Sequence, residues 1–132
     1  MSRQSPILYT ALLLAGLLAA LHFLADAHSL YWRFWWYDVM MHFLAGLALG
    51  LFAYWGLFAS GILFKRERRT SLVVASVVIS VFIIGAAWEV FEYANGITDS
   101  HEGYALDTTN DLILDCCAAA LAAFIGLRKR HG

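Results

Sequence analysis

The sequence predicts an all-α protein, an integral membrane four-helix bundle with its N- and C-termini both in the cytoplasm. Three observations predict this. Of the 132 residues, 61% are hydrophobic, which is too high a share for an ordinary soluble domain. Four apolar segments reach the roughly 20 residues that a helix needs to cross a hydrocarbon core about 30 Å thick. Eight of the nine Lys and Arg residues lie at one end of these segments, so the positive-inside rule assigns their orientation.

The first predicted helix covers about residues 7–24. Pro6 suits its start, because the first helical turn does not need the backbone N–H that proline lacks. Arg3 followed by an apolar run also resembles a signal peptide, but the run does not end in a polar segment with a small-residue cleavage site. We therefore keep this segment as a membrane helix.

The three other predicted helices cover about residues 35–64, 71–93 and 107–127. The second begins beside the aromatic run Tyr31–Tyr37, which is typical of a membrane interface. No linker, repeat or low-complexity segment divides the chain. Residues 1–132 are therefore predicted to form a single transmembrane domain.

The charges are strongly polarised along the bundle. Eight of the nine Lys and Arg residues are at the N-terminus, in the middle loop or in the C-terminal tail: Arg3, Lys65, Arg66, Arg68, Arg69, Arg128, Lys129 and Arg130. The positive-inside rule places these residues in the cytoplasm and residues 25–34 and 94–106 outside. Nine of the ten acids fall in the outer half, which argues against a nucleic-acid partner.

The candidate functional residues are acids and one histidine near the outer ends of the last three helices. They are spaced three or four residues apart, so those on one helix share one face. A charged Asp in mid-bilayer costs about 3 kcal/mol on insertion scales, so such residues are functional candidates by default. The predicted site consists of Asp38, His42, Glu89, Glu92, Asp107, Asp111 and Asp115.

Small residues continue the same helix faces toward the cytoplasmic end. Gly46 and Gly50 follow His42, Gly85 precedes Glu89, and Ala122 and Gly126 follow Asp115 at helical spacing. Small residues let membrane helices approach closely, so these faces are the predicted contacts of the bundle. The acids on the same faces should therefore point inward.

Two further groups of residues are secondary. His22 and Asp26 on the first helix could place a histidine and a carboxylate near the same chamber. Cys116 and Cys117 are adjacent on one helix, which argues against a disulfide between them and favours a role as small buried residues.

Each candidate also has a purely structural interpretation. Asp38, Asp107 and Asp111 lie near predicted helix N-termini, where a carboxylate can cap free N–H groups. Glu89 and Glu92 lie at a helix C-terminus, the unfavourable end for an anion, so they need another partner. His42 by itself would be read as a core hydrogen-bonding residue, but it lies one turn from Asp38.

Converging carboxylates need either protons or a cation among them. One histidine with several Asp and Glu residues is a hard, oxygen-rich ligand set that suits a divalent metal ion: Mn, Fe, Zn, Mg or Ca. The competing interpretation is a proton relay or an ion path. The inner half is lined by Ala, Gly, Leu and Ile, so a chamber that opens outward is favoured over a complete path.

The order "YDVMMHFLAG", "WEVFEYANG", "DTTNDLILD" resembles the Asp-x-x-x-His, Glu-x-x-Glu and Asp-x-x-x-Asp signatures of an uncharacterised bacterial inner-membrane family, a domain of unknown function. It is similar, more distantly, to the VanZ-like family, which includes a glycopeptide-resistance protein of the cell envelope. Val39, Glu92 and Asp111 or Asp115 depart from the VanZ-like pattern, where Lys, Gln and Asn are usual. The resemblance implies a multi-pass protein of the bacterial inner membrane.

Three functions remain open from the sequence. The first is a metal site acting on an envelope lipid or cell-wall precursor, with the ion as Lewis acid or water activator. The second is a non-enzymatic accessory or assembly subunit of a larger membrane complex. The third is a proton- or cation-coupled carrier. The expected partners are the lipid bilayer and either a second copy of the chain or other membrane subunits.

Overall fold

The computed structural model describes residues 5–64, 69–96 and 103–131, and these residues form helices without a strand. The helices are α1 Ser5–His28, α2 Leu30–Arg33, α3 Trp35–Tyr54, α4 Thr70–Asn95 and α5 Tyr104–His131. α3 continues into a π-helical turn, Trp55–Ala59. Four of these helical segments are long and apolar enough to span a membrane, so the predicted all-α membrane architecture is confirmed.

Some residues used in the sequence analysis lie outside the described part of the chain. They are Arg3 and three residues of the basic middle loop, Lys65, Arg66 and Arg68. Three of the ten acids, Glu67, Asp99 and Glu102, lie outside it as well. The cytoplasmic location of the termini stays a prediction.

The second spanning helix is shorter than the predicted range 35–64. Its π turn ends at Ala59, and the side chain of Ser60 then donates to the carbonyl oxygen of Gly56 and accepts from the backbone N–H of Ile62. Gly61 has a left-handed φ of 76°, which a side chain would disfavour. These local interactions end the helix before the apolar sequence ends.

The other helices extend beyond their predicted limits. α1 continues to His28 and is followed by the single turn of α2, so most of the outer connection is helical. α5 begins at Tyr104, about one turn before the predicted start, because the Gly103 carbonyl accepts from the N–H groups of Leu106 and Asp107. Hydropathy underestimates the length of these helices, because polar residues continue each helix beyond its apolar run.

The two helices that pack most extensively are α3 and α5. α4 packs against both of them, whereas α1 packs mainly on α3. At the end of the bundle where Arg69 and Arg128 lie, the core is apolar and includes Leu51, Tyr54 and Ala122. At the opposite end, Ala25, Tyr37 and Met41 form a smaller cluster between α1 and α3. The acidic residues lie at this second end, between α3, α4 and α5.

Glycines allow the close approach of α3 to α5, as their positions predict. A β-carbon on Gly46 would lie 2.6 Å from the carbonyl oxygen of Asp115, and one on Gly50 would lie 2.7 Å from Cβ of Ala122. Farther along, the Tyr54 ring occupies the space over Gly126. The predicted small-residue faces are therefore helix contacts, and they bring the acidic turn of α5 against His42 on α3.

Candidate carboxylate and histidine site

His42 lies among three carboxylates. Its Nε2 atom is 3.9 Å from Oδ1 of Asp38, one turn earlier on α3, and 3.6 Å from Oδ2 of Asp111 on α5. Its Nδ1 atom is 3.6 Å from Oδ1 of Asp115, one turn further along α5. Both ring nitrogens therefore face carboxylate oxygens, at distances slightly longer than a hydrogen bond.

Three acids of the site are buried. Glu89, Asp111 and Asp115 have relative exposures of 4%, 5% and 4%. Oδ1 of Asp115 has no hydrogen-bond partner among the described residues. A buried carboxylate oxygen without a partner is costly, and Nδ1 of His42, 3.6 Å away, is a donor that a small side-chain rotation would bring within hydrogen-bonding distance.

Glu89 is held by a residue that the sequence analysis missed. The Thr108 hydroxyl donates to Oε2 of Glu89 at 2.7 Å, and the Tyr104 hydroxyl lies 3.4 Å from the Glu89 backbone carbonyl oxygen. Both contacts join the C-terminal end of α4 to the N-terminal end of α5. Thr108 follows Asp107 directly, but a threonine in a helix carries no signal that it would bond to a carboxylate on another helix.

Glu92 and Asp107 are at the margin of the site and are partly exposed. Glu92 is close enough to Glu89, His42 and Asp38 to interact with them electrostatically. Asp107 interacts in the same way with Asp111. The seven predicted residues therefore belong to one electrostatic cluster, although direct short contacts are confined to a subset.

The ligand atoms around His42 are better placed for a metal ion than Glu92 and Asp107 at the margin of the cluster. One ligand atom each from Asp38, His42 and Asp111 lies within 4.8 Å of the other two. Two ligands bound to one Zn²⁺ ion at about 2.0–2.2 Å are at most about 4.4 Å apart, and two bound to Ca²⁺ at most about 5.2 Å. Small side-chain movements would bring all three atoms to a shared ion.

The structure corrects two of the structural interpretations and shows where the secondary residues of the first helix lie. Asp111 lies seven residues inside α5, so it does not cap that helix. Cys117 is exposed, so the prediction that it is buried is wrong. Cys116 and Cys117 are both free thiols, as expected. His22 is exposed and lies outside the three-residue group of possible metal ligands, as does Asp26.

His22 instead takes part in an aromatic contact at the edge of the bundle. Its Nδ1 atom is 3.0 Å from the Tyr31 hydroxyl, and the Tyr31 ring packs edge-on against Tyr37. The Tyr37 hydroxyl donates to the Leu21 carbonyl oxygen at 2.9 Å. Burial, followed by the negative charge of Asp38, raises the pKa of Tyr31 to about 12. This phenol is therefore a neutral neighbour of the acidic site.

The fold and the site together define a multi-pass α-helical membrane protein with carboxylates and a histidine enclosed at one end of the bundle. Residues 1–132 match the model of the family described as "predicted membrane protein (DUF2238)", and the chain belongs to this family. That match confirms the predicted membership of a membrane protein family of unknown function. The more distant VanZ-like similarity stays a prediction.

Comparison with curated proteins finds no match, and comparison with solved structures finds none either.

Proposed function

We propose that the protein binds a divalent metal ion through Asp38, His42 and Asp111. The observation that carries this proposal is the convergence of ligand atoms from two helices, all within 4.8 Å of one another. The set contains two carboxylates and one imidazole, which suits Mn²⁺, Fe²⁺ or Zn²⁺. A bound cation would also compensate the negative charge that the buried acids concentrate there.

A second part of the proposal concerns the side of the membrane. The site lies at the end of the bundle opposite Arg69 and Arg128, so the positive-inside rule places it at the outer face of the bacterial inner membrane. The Asp38 side chain is 40% exposed, whereas that of Asp111 is only 7% exposed. The site would therefore open past Asp38 to the headgroup region.

The proposed substrate is an envelope lipid or a lipid-linked cell-wall precursor. Four tryptophans at the same end of the bundle are exposed, as in an aromatic belt at headgroup depth. They are Trp32, Trp35, Trp36 and Trp88. A divalent ion at this depth would supply a Lewis acid for a phosphate or ester oxygen. Glu92 is a partly exposed carboxylate outside the three proposed ligands, and it could accept a proton from an attacking water.

The described part of the bundle favours this one-sided site over a carrier. Beyond Asp115, the core between the helices is built from apolar side chains, such as Ala119, Val77 and Leu51. The buried charged residues of the described ranges are Glu89, Asp111 and Asp115, all near the other end. Within the described ranges, a cation would meet no buried acidic ligand in the apolar half.

The direct test is elemental analysis of protein purified in nanodiscs and exchanged into metal-free buffer. Wild type should retain Mn, Fe or Zn near one ion per chain, and His42→Ala and Asp111→Asn should each retain less than a tenth as much. His28→Ala and Asp26→Asn are matched controls, because His28 and Asp26 are exposed residues of α1. Absence of binding in wild type after divalent ions are added back would refute the proposal.

The substrate proposal needs a separate test. Metal-loaded protein in nanodiscs would be incubated with anionic phospholipids and with a polyprenyl diphosphate, and the products would be followed by mass spectrometry. Turnover that Glu92→Gln removes at full metal occupancy, and that Asp26→Asn retains, would support it. Full metal occupancy with all of these lipids unchanged would contradict the proposed substrate class and leave the metal site intact.

A further inference from the structure

Asp115 and the pair Asp38 and Asp111 lie at different nitrogens of the His42 ring. Nδ1 is 3.6 Å from Oδ1 of Asp115, whereas Nε2 faces Asp111 at 3.6 Å and Asp38 at 3.9 Å. The two nitrogens of an imidazole point in diverging directions. An ion bonded to Nε2 therefore lies on the far side of the ring from Asp115.

We propose that Asp115 is a positioning residue, whose carboxylate accepts a hydrogen bond from Nδ1–H of His42 and thereby directs Nε2 toward Asp38 and Asp111. This inference rests on the proposed metal site, and it changes the predicted role of Asp115 from direct ligand to support of a ligand. A histidine that binds a metal commonly donates its other ring N–H to a carboxylate, which orients the ring.

The surroundings of Asp115 leave its Oδ1 atom available for this bond. Oδ1 is buried and has no hydrogen-bond partner among the described residues. The other oxygen, Oδ2, faces α4 at Gly85, where a β-carbon would lie 2.8 Å away. The carboxylate is thus held between two helices, with one oxygen toward His42 on α3. Closing the gap to about 2.9 Å requires a small rotation of either side chain.

The packing of α3 on α5 limits where the His42 ring can lie. Gly46, one turn beyond His42, lies directly against the backbone of Asp115. His42 and Asp115 are therefore brought together by the closest helix contact of the site. This arrangement suits a rigid support beneath the ring, while Asp38 at the more exposed margin has room to move toward an ion.

The test combines metal affinity with ¹⁵N-histidine NMR of the full chain, using Zn²⁺ as the probe. In wild type, Nε2 of His42 should be the zinc-bound nitrogen and Nδ1 should carry a hydrogen-bonded proton. Asp115→Ala should weaken Zn²⁺ binding about 10- to 100-fold and allow coordination through either nitrogen. Asp115→Asn, which retains an acceptor oxygen, should restore coordination through Nε2 and most of the affinity.

Two outcomes would overturn the proposal. Unchanged affinity and ring signals in Asp115→Ala would mean that Asp115 does not orient His42. Loss of binding as complete as in Asp111→Asn, without recovery in Asp115→Asn, would make Asp115 a direct ligand. If Asp115→Ala does not fold, Asp115→Ser takes its place, because the serine hydroxyl is too short to reach the ring. It is compared with Asp115→Asn by zinc affinity and by the ring signals of His42.

Metal-free spectra separate this inference from the proposed function. If wild type binds no zinc, the metal proposal fails, but the Nδ1 proton of His42 remains observable. A proton signal that is shifted by hydrogen bonding in wild type, lost in Asp115→Ala and retained in Asp115→Asn would support the positioning role by itself. Identical metal-free spectra in wild type and Asp115→Ala would overturn it. His42→Gln assigns the signal among the five histidines.

Discussion

Gly46 on α3 lies so close to Asp115 on α5 that a β-carbon at Gly46 would come within 2.6 Å of the Asp115 carbonyl oxygen and 2.7 Å of its α-carbon. His42 is one turn before Gly46, and Asp111 is one turn before Asp115. The same helix contact therefore sets the separation of the helices and the distances within the acidic site. Packing and site geometry should respond together when this contact changes.

Replacing Gly46 with Ala should destabilise the protein by about 1–3 kcal/mol, because the added methyl group meets backbone atoms that can move only with their helix. The separation of α3 and α5 should also increase, so the variant should retain less metal. Unfolding in detergent micelles, followed by circular dichroism, measures the stability. Gly16→Ala is the control, because nothing lies within 4 Å of its added carbon. Equal stability of wild type and Gly46→Ala would contradict the close contact.

Replacing Thr108 with Val should remove the hydroxyl that donates to Oε2 of Glu89 at 2.7 Å. A buried carboxylate would lose its partner at nearly unchanged side-chain shape, so the expected loss of unfolding free energy is about 1–3 kcal/mol. Thr108→Ser should recover most of it. In Thr109→Val, the lost bond runs to a carbonyl oxygen of the same helix, that of Ala105, and the effect should be smaller. Similar losses of unfolding free energy for both valine variants would argue against a stabilising bond from Thr108 to Glu89.

Replacing Tyr37 with Phe should loosen the outer half of α1. The Tyr37 hydroxyl donates to the Leu21 carbonyl oxygen and so connects α3 to α1. We expect a loss of about 0.5–1.5 kcal/mol and faster amide exchange near Leu21, with metal content unchanged. Hydrogen exchange followed by mass spectrometry resolves the segment. Tyr9→Phe, on an exposed part of α1, should leave exchange unaltered. Unchanged exchange in Tyr37→Phe would show that this bond does not hold α1.

The Tyr31 phenol should ionise well above an ordinary tyrosine, because burial and then the negative charge of Asp38 raise its pKa to about 12. The folded protein holds this proton more tightly than the unfolded chain, whose tyrosine pKa is about 10. The corresponding contribution to stability is complete below pH 10 and is lost as the pH rises toward 12. Ultraviolet absorbance near 295 nm follows the ionisation.

Asp38→Asn is the informative variant for this titration. Removing the carboxylate charge should lower the pKa of Tyr31, since an adjacent anion disfavours the phenolate. A Tyr31→Phe sample identifies the contribution of this residue among the six tyrosines. A Tyr31 that titrates near pH 10 in wild type, or whose pKa does not change in Asp38→Asn, would contradict the burial of the phenol or its electrostatic interaction with Asp38.

Much of the fold was predictable because it depends on local properties. Apolar length predicts the spanning helices, and helical periodicity places His42 one turn from Asp38 on the same face. The ends of the helices were less predictable. The second spanning helix ends near Ser60, since the Ser60 hydroxyl and the positive φ of Gly61 redirect the backbone, and hydropathy is insensitive to both.

The sequence by itself determined that the chain enters a membrane as four helices, that its acids gather at one end, and that they share faces with glycine and alanine. These features follow from the cost of charge in hydrocarbon and from 3.6 residues per turn. Only the tertiary structure decided that His42 lies between Asp111 and Asp115, that the Thr108 hydroxyl donates to Glu89, and that His22 contacts Tyr31. The rotation and partner of each helix determine such contacts, and both depend on how all the side chains pack together.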